Sequence, residues 1–258
     1  MIITCLVENT TSNEKIIAEH GLSLFIETHN KKILFDMGQT DAFAINASQL
    51  GINIADADIA VLSHGHYDHG GGLKKFFEIN KKAPVYLSNY AFEPHYNGLE
   101  KYIGLDASLS TDDRIIYTSD FLKISDNLTL QSCNNKEIVE KTDSGGLNKK
   151  TNGKLLPDDF LHEQYLLIEE DGKRILFSGC SHKGILNIAE WFKPDVLIGG
   201  FHFSKFALDN NLSQMTDKLN LYNTVFYTCH CTGIDQYNFM KKTINNLNYL
   251  SAGKNIVL

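Results

Sequence analysis

The stretch VLSHGHYDHGGGL, Val61 to Leu73, limits what this chain can become more than any other. Within six residues it sets three histidines and an aspartate (His64, His66, Asp68 and His69), directly after an apolar run and directly before three glycines. The apolar run, DIAVLSH, is nearly continuous, as in a strand buried on both faces. His64 and His66, two apart at the end of that strand, point the same way. Asp68 and His69 follow in a turn, where Gly65 and Gly70 to Gly72 let the backbone wrap back and approach closely. Imidazole and carboxylate ligands suit zinc, and also manganese or iron(II). One catalytic ion with an open position does not need all four. Two divalent ions roughly 3.5–4 Å apart, sharing a water, would use them and call for two or three further ligands later in the chain.

The surrounding pattern supplies elements on which such a loop can sit. IITCLVE, GLSLFIET and KKILFDMG read as strands, the last two joined as a hairpin at HNKK. DAFAINASQLG fits a helix ending at Gly51, and GGLKKFFEIN a second helix before the strand APVYLSNY. Regularity returns with EQYLLIEE and KRILFSGC, a hairpin across the turn DGK. GILNIAEWF and DQYNFMKKTINNL then read as helices, and PDVLIGGF, NTVFYTCH and KNIVL as strands. Both halves thus run hairpin, helix, apolar strand ending in histidine. An α/β (α+β) architecture of four layers, with helices on the outer faces of two sheets, satisfies this order.

The chain is expected to form one domain over 1–258, with an irregular insertion at about 91–160. RIIYTS and NLTLQSC are two strands within that insertion, whereas KTDSGGLNKKTNGK reads as a mobile loop able to act as a lid. Tyr96, Tyr102 and Tyr117 in it could stack on a flat ring.

Charge and cysteines narrow the partners. A formal net charge of −7 argues against nucleic acid or an anionic membrane, both of which need a basic footprint. A local pocket for a small anion stays compatible with it. MIITCLVENT lacks the basic and apolar regions of a secretory signal. No apolar run approaches the roughly 20 residues of a membrane helix. Five scattered cysteines make a poor disulfide framework and fit reduced thiols in a cytoplasmic protein. His20 and His29, isolated in sequence, read as surface or packing residues. Oligomeric state is left open.

SHGHYDHGGGL resembles the signature of the metallo-β-lactamase-fold hydrolases, and ILFDMG resembles their upstream strand end. That resemblance makes Asp36 the carboxylate that supports the metal-binding histidines, and it implies a four-layer αβ/βα sandwich. FSGCSHKGILNIAE, IGGFHF and TCHCTG are similar to the strand ends of one subgroup. Its members are metal-dependent hydrolases related to the dihydropterin–ribofuranosylaminobenzene phosphate synthase of methanopterin synthesis. These blocks extend from about Gly21 to Leu258.

The chain departs from the wider family in two places. Many members carry a third histidine for the first metal in a GHTxG-like turn before the strand matching KRILFSGC. Here that interval holds only His95 and His162, neither in a glycine context. The usual bridging aspartate is replaced by Cys180, a possible thiolate ligand. His182, two residues on, is expected to replace the missing histidine, and His230 to complete the second metal's ligands. His202, at another strand end, is expected to contact substrate and take part in catalysis. Lys183 could hold an anionic group, as could the backbone at Cys231, Thr232 and Gly233 if a helix starts there.

With His64, His66, Asp68, His69, His182 and His230 as ligands, two divalent ions, zinc first, with manganese or iron as alternatives, would ionise a water for attack. Asp68 would orient it. The implied reaction is hydrolysis of an ester, thioester or phosphoester of a small anionic substrate. The subgroup's alternative is a transferase in which an aminobenzene displaces pyrophosphate from a pterin pyrophosphate. A non-catalytic metal-dependent sensor is the third reading. A nuclease is disfavoured by charge, and a diiron redox enzyme by the lack of a flavin domain.

Overall fold

A computed structural model describes all residues, 1–258. The chain opens with β1 (Ile2–Val7), the hairpin β2 (Ser23–Glu27) and β3 (Lys32–Phe35), α1 (Ala42–Gln49) and β4 (Ile59–Val61). A single helical turn, α2 (Tyr67–Gly70), then leads to α3 (Leu73–Ile79) and β5 (Val85–Ser88). The middle holds β6 (His95–Asn97), β7 (Lys101–Tyr102), β8 (Ile115–Thr118), β9 (Phe121–Ser125), β10 (Leu128–Gln131), β11 (Leu147–Thr151) and β12 (Lys154–Pro157). The last part runs β13 (Tyr165–Glu170), β14 (Lys173–Phe177), α4 (Ile185–Phe192), β15 (Val196–Ile198) and α5 (Asn210–Leu219). It closes with β16 (Val225–Thr228), α6 (Ile234–Met240), β17 (Leu247–Tyr249) and β18 (Asn255–Val257).

Two seven-stranded sheets result, in the orders β18-β1-β2-β3-β4-β5-β8 and β17-β16-β15-β14-β13-β10-β9. Each has an antiparallel hairpin continued by parallel strands: β2–β3 then β4 and β5 in one, β13–β14 then β15 and β16 in the other. The alternation of side chains along each strand decides the layers. Ile33 and Phe35 of β3 face inward, onto Ile175 and Phe177 of β14, with the Phe35 and Phe177 rings 5.7 Å apart. Leu34, between them, faces outward and packs with Phe43 of α1 and Phe76 of α3. Leu176 and Leu197 face the other way, onto Ile188 and Phe192 of α4 and Leu212 of α5. Four layers, α/β/β/α, are therefore held by three apolar clusters, and the expected architecture is the observed one.

The segment 91–160 is not an irregular insertion. Its β8 closes one main sheet, β9 and β10 close the other, and β12-β11-β6-β7 form a third, four-stranded sheet. The stretch expected to be a mobile loop contains β11 and turns into β12, with Lys150 paired to Leu155 and Thr151 to Lys154. Its lysines and asparagines hide strand character because most of these side chains stay exposed. No helix is long and apolar enough to cross a membrane.

Candidate metal centre

The parallel strands β3, β4, β14, β15 and β16 end on one side of the molecule, and the residues after their last positions converge there. Four of these residues, Asp36, Ser181, His202 and His230, have φ between 49° and 59°. Left-handed backbone at non-glycine residues costs of order 1–3 kcal/mol each and is tolerated only where the surroundings over-determine it. Here the surroundings are hydrogen bonds that aim side chains into the site.

The loop after β4 is held from three sides. The Asp68 carbonyl accepts from Leu22 N–H at 3.2 Å, and the His69 carbonyl from Met37 N–H at 2.7 Å. Gly65 N–H donates to His162 Nδ1 at 2.9 Å. A side chain at Gly65 would run into the Ala91 carbonyl, so the residue between the two histidines has to be glycine.

Hydrogen bonds at one nitrogen of each imidazole determine what the other presents. Asp36, fully buried, accepts from His69 Nδ1 at 2.7 Å and from the Ser63 hydroxyl at 2.7 Å. With its proton committed to Asp36, the Ser63 oxygen accepts from His64 Nδ1 at 2.8 Å. His230 Nδ1 donates to Asn9 Oδ1 at 2.8 Å. His64, His69 and His230 in their neutral forms thus all turn an Nε2 lone pair inward. His69 Nε2 lies 3.3 Å from His230 Nε2 and 3.1 Å from Cys180 Sγ, and His230 Nε2 lies 3.3 Å from Asp68 Oδ2. Lone pairs this close repel unless a proton or a metal ion stands between them. His64 Nε2 and both ring nitrogens of His182 are buried without any partner. A buried polar atom left unpaired is costly. Donor atoms of His64, His66 and His182 lie within 4.8 Å of one another, as do those of His64, His69 and Cys180, and of His20, Asp68 and His230. This donor set fits divalent metal ions.

Protonation follows from the same contacts. Burial, helped by neighbouring histidines, holds His64, His66 and His182 well below the ordinary imidazole range, so they are neutral and able to ligate. His69 differs. Burial works against its charge, but the charge and hydrogen bond of Asp36 outweigh it and lift the pKa to about 9. Burial alone would raise the Asp68 carboxyl, yet hydrogen bonds from His20 and His230 bring it well below the usual carboxylate range. Burial pushes the Cys180 thiol up.

Of the expected residues, His64, His66, Asp68, His69, His182, His230, Cys180 and Asp36 come together. His202 joins them, its ring 4.4 Å from that of His182 and its Nδ1 buried without a partner. Two expected substrate contacts fail on geometry. The Lys183 ammonium donates to the Ser132 carbonyl at 2.6 Å, Asn134 Oδ1 at 2.6 Å and the Glu163 carbonyl at 3.0 Å, so it ties loops together. Thr232 is fully buried, and its backbone N–H, expected to face an anion, donates instead to the Cys229 carbonyl at 3.0 Å.

Other contributors were missed by sequence reasoning. Glu163 accepts from the backbone N–H of His182 at 2.7 Å and of Lys183 at 2.9 Å, and Glu8 accepts from that of His230 at 2.7 Å. His20 is no isolated surface residue, since its Nε2 is 3.3 Å from Asp68 Oδ2 at the mouth of the site. Only tertiary proximity reveals them; Glu8 is 222 residues from His230. His29 does lie apart, paired with Asp171.

A cavity of about 150 Å³ opens onto His66, Asp68, Cys180, His182, His202 and His230. His182 and His202 also border a second cavity, of about 270 Å³, floored by Phe201, Phe203, Phe206 and Met215.

Comparison with known proteins agrees with this geometry. Residues 17–220 match the family model described as the metallo-beta-lactamase superfamily. An uncharacterized protein of Methanocaldococcus jannaschii, MJ0448, is 32% identical over 98% of this chain and 98% of its own length. From the same organism, the 7,8-dihydropterin-6-methyl-4-(beta-D-ribofuranosyl)-aminobenzene-5'-phosphate synthase is 30% identical over 94% of this chain and 91% of its own. The crystal structure of Tm1679, described as a metal-dependent hydrolase of the beta-lactamase superfamily, superposes with a TM-score of 0.86 at 29% identity, covering 100% of this chain and 99% of that one. The HxHxDH loop, the four layers and these matches have one explanation: the chain belongs to the metallo-beta-lactamase superfamily.

Proposed function

We propose that this protein is a hydrolase working with two divalent metal ions, zinc first among them and manganese or iron as alternatives, on an ester, thioester or phosphoester of a small anionic substrate. The observation that carries the reading is the convergence of inward-facing Nε2 atoms, with His69 and His230 only 3.3 Å apart, beside Asp68 and Cys180. His64, His66 and His182 would hold one ion, and Asp68, His69 and His230 the other, with Cys180 a further ligand candidate beside them. When bound, such ions acidify water and draw charge from a carbonyl or phosphoryl oxygen.

The chain's own residues do the rest. Asp68 keeps one face toward the cavity, its side chain 13% exposed, and as a carboxylate it accepts a hydrogen from entering water and orients it. His202, which lines the same cavity, contacts the substrate. The apolar floor of the second cavity takes the substrate's uncharged part while its reacting group stays beside His182. Nucleic acid and membrane are not partners in this reading, and the five buried free thiols suit the cytoplasm.

The relative named as a synthase supports a second reading, transfer instead of hydrolysis. Metal-loaded protein offered a panel of esters, thioesters and phosphoesters, and separately a pterin pyrophosphate with and without an aminobenzene, separates the two. Hydrolysis predicts turnover in water alone, abolished by chelator and restored by zinc or manganese. Transfer predicts pyrophosphate release only when the aminobenzene is present. Elemental analysis should give about two metals per chain, and His182→Ala about one. A folded wild-type chain that holds no metal overturns both readings.

A further inference from the structure

Behind His66 lies a cluster that neither reading uses. His95, Asp158 and His162 are buried, and their ligand-type atoms lie within 4.8 Å of one another and of His66. Composition alone would make it another metal site. The hydrogen bonds say otherwise. His162 Nδ1 accepts from Gly65 N–H at 2.9 Å, so the neutral ring carries its hydrogen on Nε2. Neither nitrogen then has a lone pair for a metal, and Nε2 faces Asp158 Oδ2 at 3.5 Å. His162 therefore does not supply the third histidine that the glycine turn provides in other members.

Asp158 Oδ1 accepts from Phe160 N–H at 2.8 Å, and Oδ2 accepts from His95 Nδ1 at 2.8 Å. His95 therefore carries its hydrogen on Nδ1 and keeps a lone pair on Nε2, which is buried and unpartnered. His66 supplies what is missing. Among the histidines that present one nitrogen to the centre, His64, His69 and His230 each have the other held by Ser63, Asp36 or Asn9. His66 lines the cavity, yet its rear nitrogen, Nε2, is buried without a partner. The rings of His66 and His95 stand nearly perpendicular, 5.5 Å between centroids, with ligand-type nitrogens within 4.8 Å of each other and no hydrogen bond between them.

We infer that His95 and Asp158 are positioning residues for His66: Asp158 fixes His95 with its hydrogen on Nδ1, and the His95 Nε2 lone pair beside His66 favours the tautomer of His66 that carries its hydrogen on Nε2, turning the His66 Nδ1 lone pair toward the metals. A ligating histidine is commonly fixed through its other nitrogen, and loss of such support typically costs 10–100-fold in metal affinity. Here the carboxylate acts through an intervening imidazole. The inference rests on His66 being a ligand as proposed above, but the tautomer it requires exists without metal.

The test uses the full chain. Long-range ¹H–¹⁵N spectra of the metal-free wild type should show His66 and His95 as opposite tautomers, with hydrogen on Nε2 and Nδ1 respectively. Zinc dissociation constants, from competition with a chromophoric chelator, are then measured for wild type, His95→Leu, His95→Gln and Asp158→Asn. Expected is an affinity loss of about 10–100-fold for one of two ions in His95→Leu. The second ion should bind as before, and His95→Gln, which keeps an acceptor, should recover most of the loss. His66 carrying its hydrogen on Nδ1 overturns the inference even if the variants fail to fold. So do unchanged dissociation constants in folded His95→Leu and Asp158→Asn, or a third zinc in the wild type that Asp158→Asn removes. The expected tautomers in a wild type that binds no zinc support the positioning pair and overturn the metal reading instead.

Discussion

At the scale of single residues, Asp36 does two jobs with one carboxylate oxygen: it receives His69 Nδ1–H directly and orders His64 through Ser63. Its charge also sets how a metal must enter. In the metal-free chain His69 titrates at about 9, above the unfolded value of about 6.5. A raised folded-state pKa means that His69 contributes stability fully below pH ~6.5 and loses that contribution as pH rises through about 9. Metal binding runs the opposite way, because a ligand lone pair must first be freed. Loading the site at pH 7 should therefore release about one proton from His69, and apparent affinity should climb up to pH ~9, then level off. Calorimetric titration in buffers of different ionisation enthalpy counts that proton. Asp36→Asn, which sets an amide N–H against the donors of Ser63 and His69, should abolish the release and weaken binding about 10–100-fold. An unchanged proton count in that variant would show that Asp36 does not control His69. Asp36 is readable from the sequence because it sits at a strand end in a family motif. Glu8, Asn9 and Glu163, which aim His230 and His182, are not, since only the folded chain brings them there.

Among elements, legibility follows burial. Strands with an apolar inner face, such as KRILF in β14 and SLFIE in β2, are legible because a continuous apolar run coincides with continuous burial. The four-residue β12 and the two-residue β7 are not, because they bury almost nothing. Helix α5 escaped for a different reason: Leu212, Thr216 and Leu219 make its inner stripe, but NNLSQMTDKL is otherwise polar, and its start depends on Asp209 capping Asn211 and Leu212 N–H. The hairpin β11–β12 has consequences for specificity. Leu147 at its base joins Ile103, Phe160 and Tyr67 in a small cluster, and Phe160 stacks on His182 with ring centroids 4.6 Å apart. The region expected to be a lid thus borders the site as a sheet, with Asn97, Ile103 and Leu147 lining the smaller cavity. Replacing residues 148–156 with a short turn should leave metal content unchanged and shift relative rates across a substrate panel on the order of tenfold. Equal shifts in metal content would mean that the hairpin supports the centre itself, and no shift in either would leave specificity to the strand ends.

For the molecule as a whole, the metals would add a link between two halves that already meet through side-chain packing and through hydrogen bonds such as Gln164 N–H to the Ser63 carbonyl and His230 N–H to Glu8. His64, His66, Asp68 and His69 follow a strand of one sheet, whereas His182 and His230 follow strands of the other. Between the sheets lies a core in which Phe35 packs on Phe177, so the two should stay together without metal, loosened at the strand ends where unpaired lone pairs gather. Ligand that binds only the folded state adds about 2.7 kcal/mol at a hundred times its dissociation constant. For a chain of this length about 1 kcal/mol moves the melting temperature by about 2–4 °C, so zinc at that level should raise it by roughly 5–10 °C. Amide exchange should locate the gain. Protection should rise around His64–Gly70, Cys180–Lys183 and Cys229–Gly233, while β2 and β14, inside the sheets, change little. A uniform rise across both sheets would instead mean that metal drives the packing of the core, and no rise at either set of strand ends would leave the convergent histidines without the ions their geometry calls for.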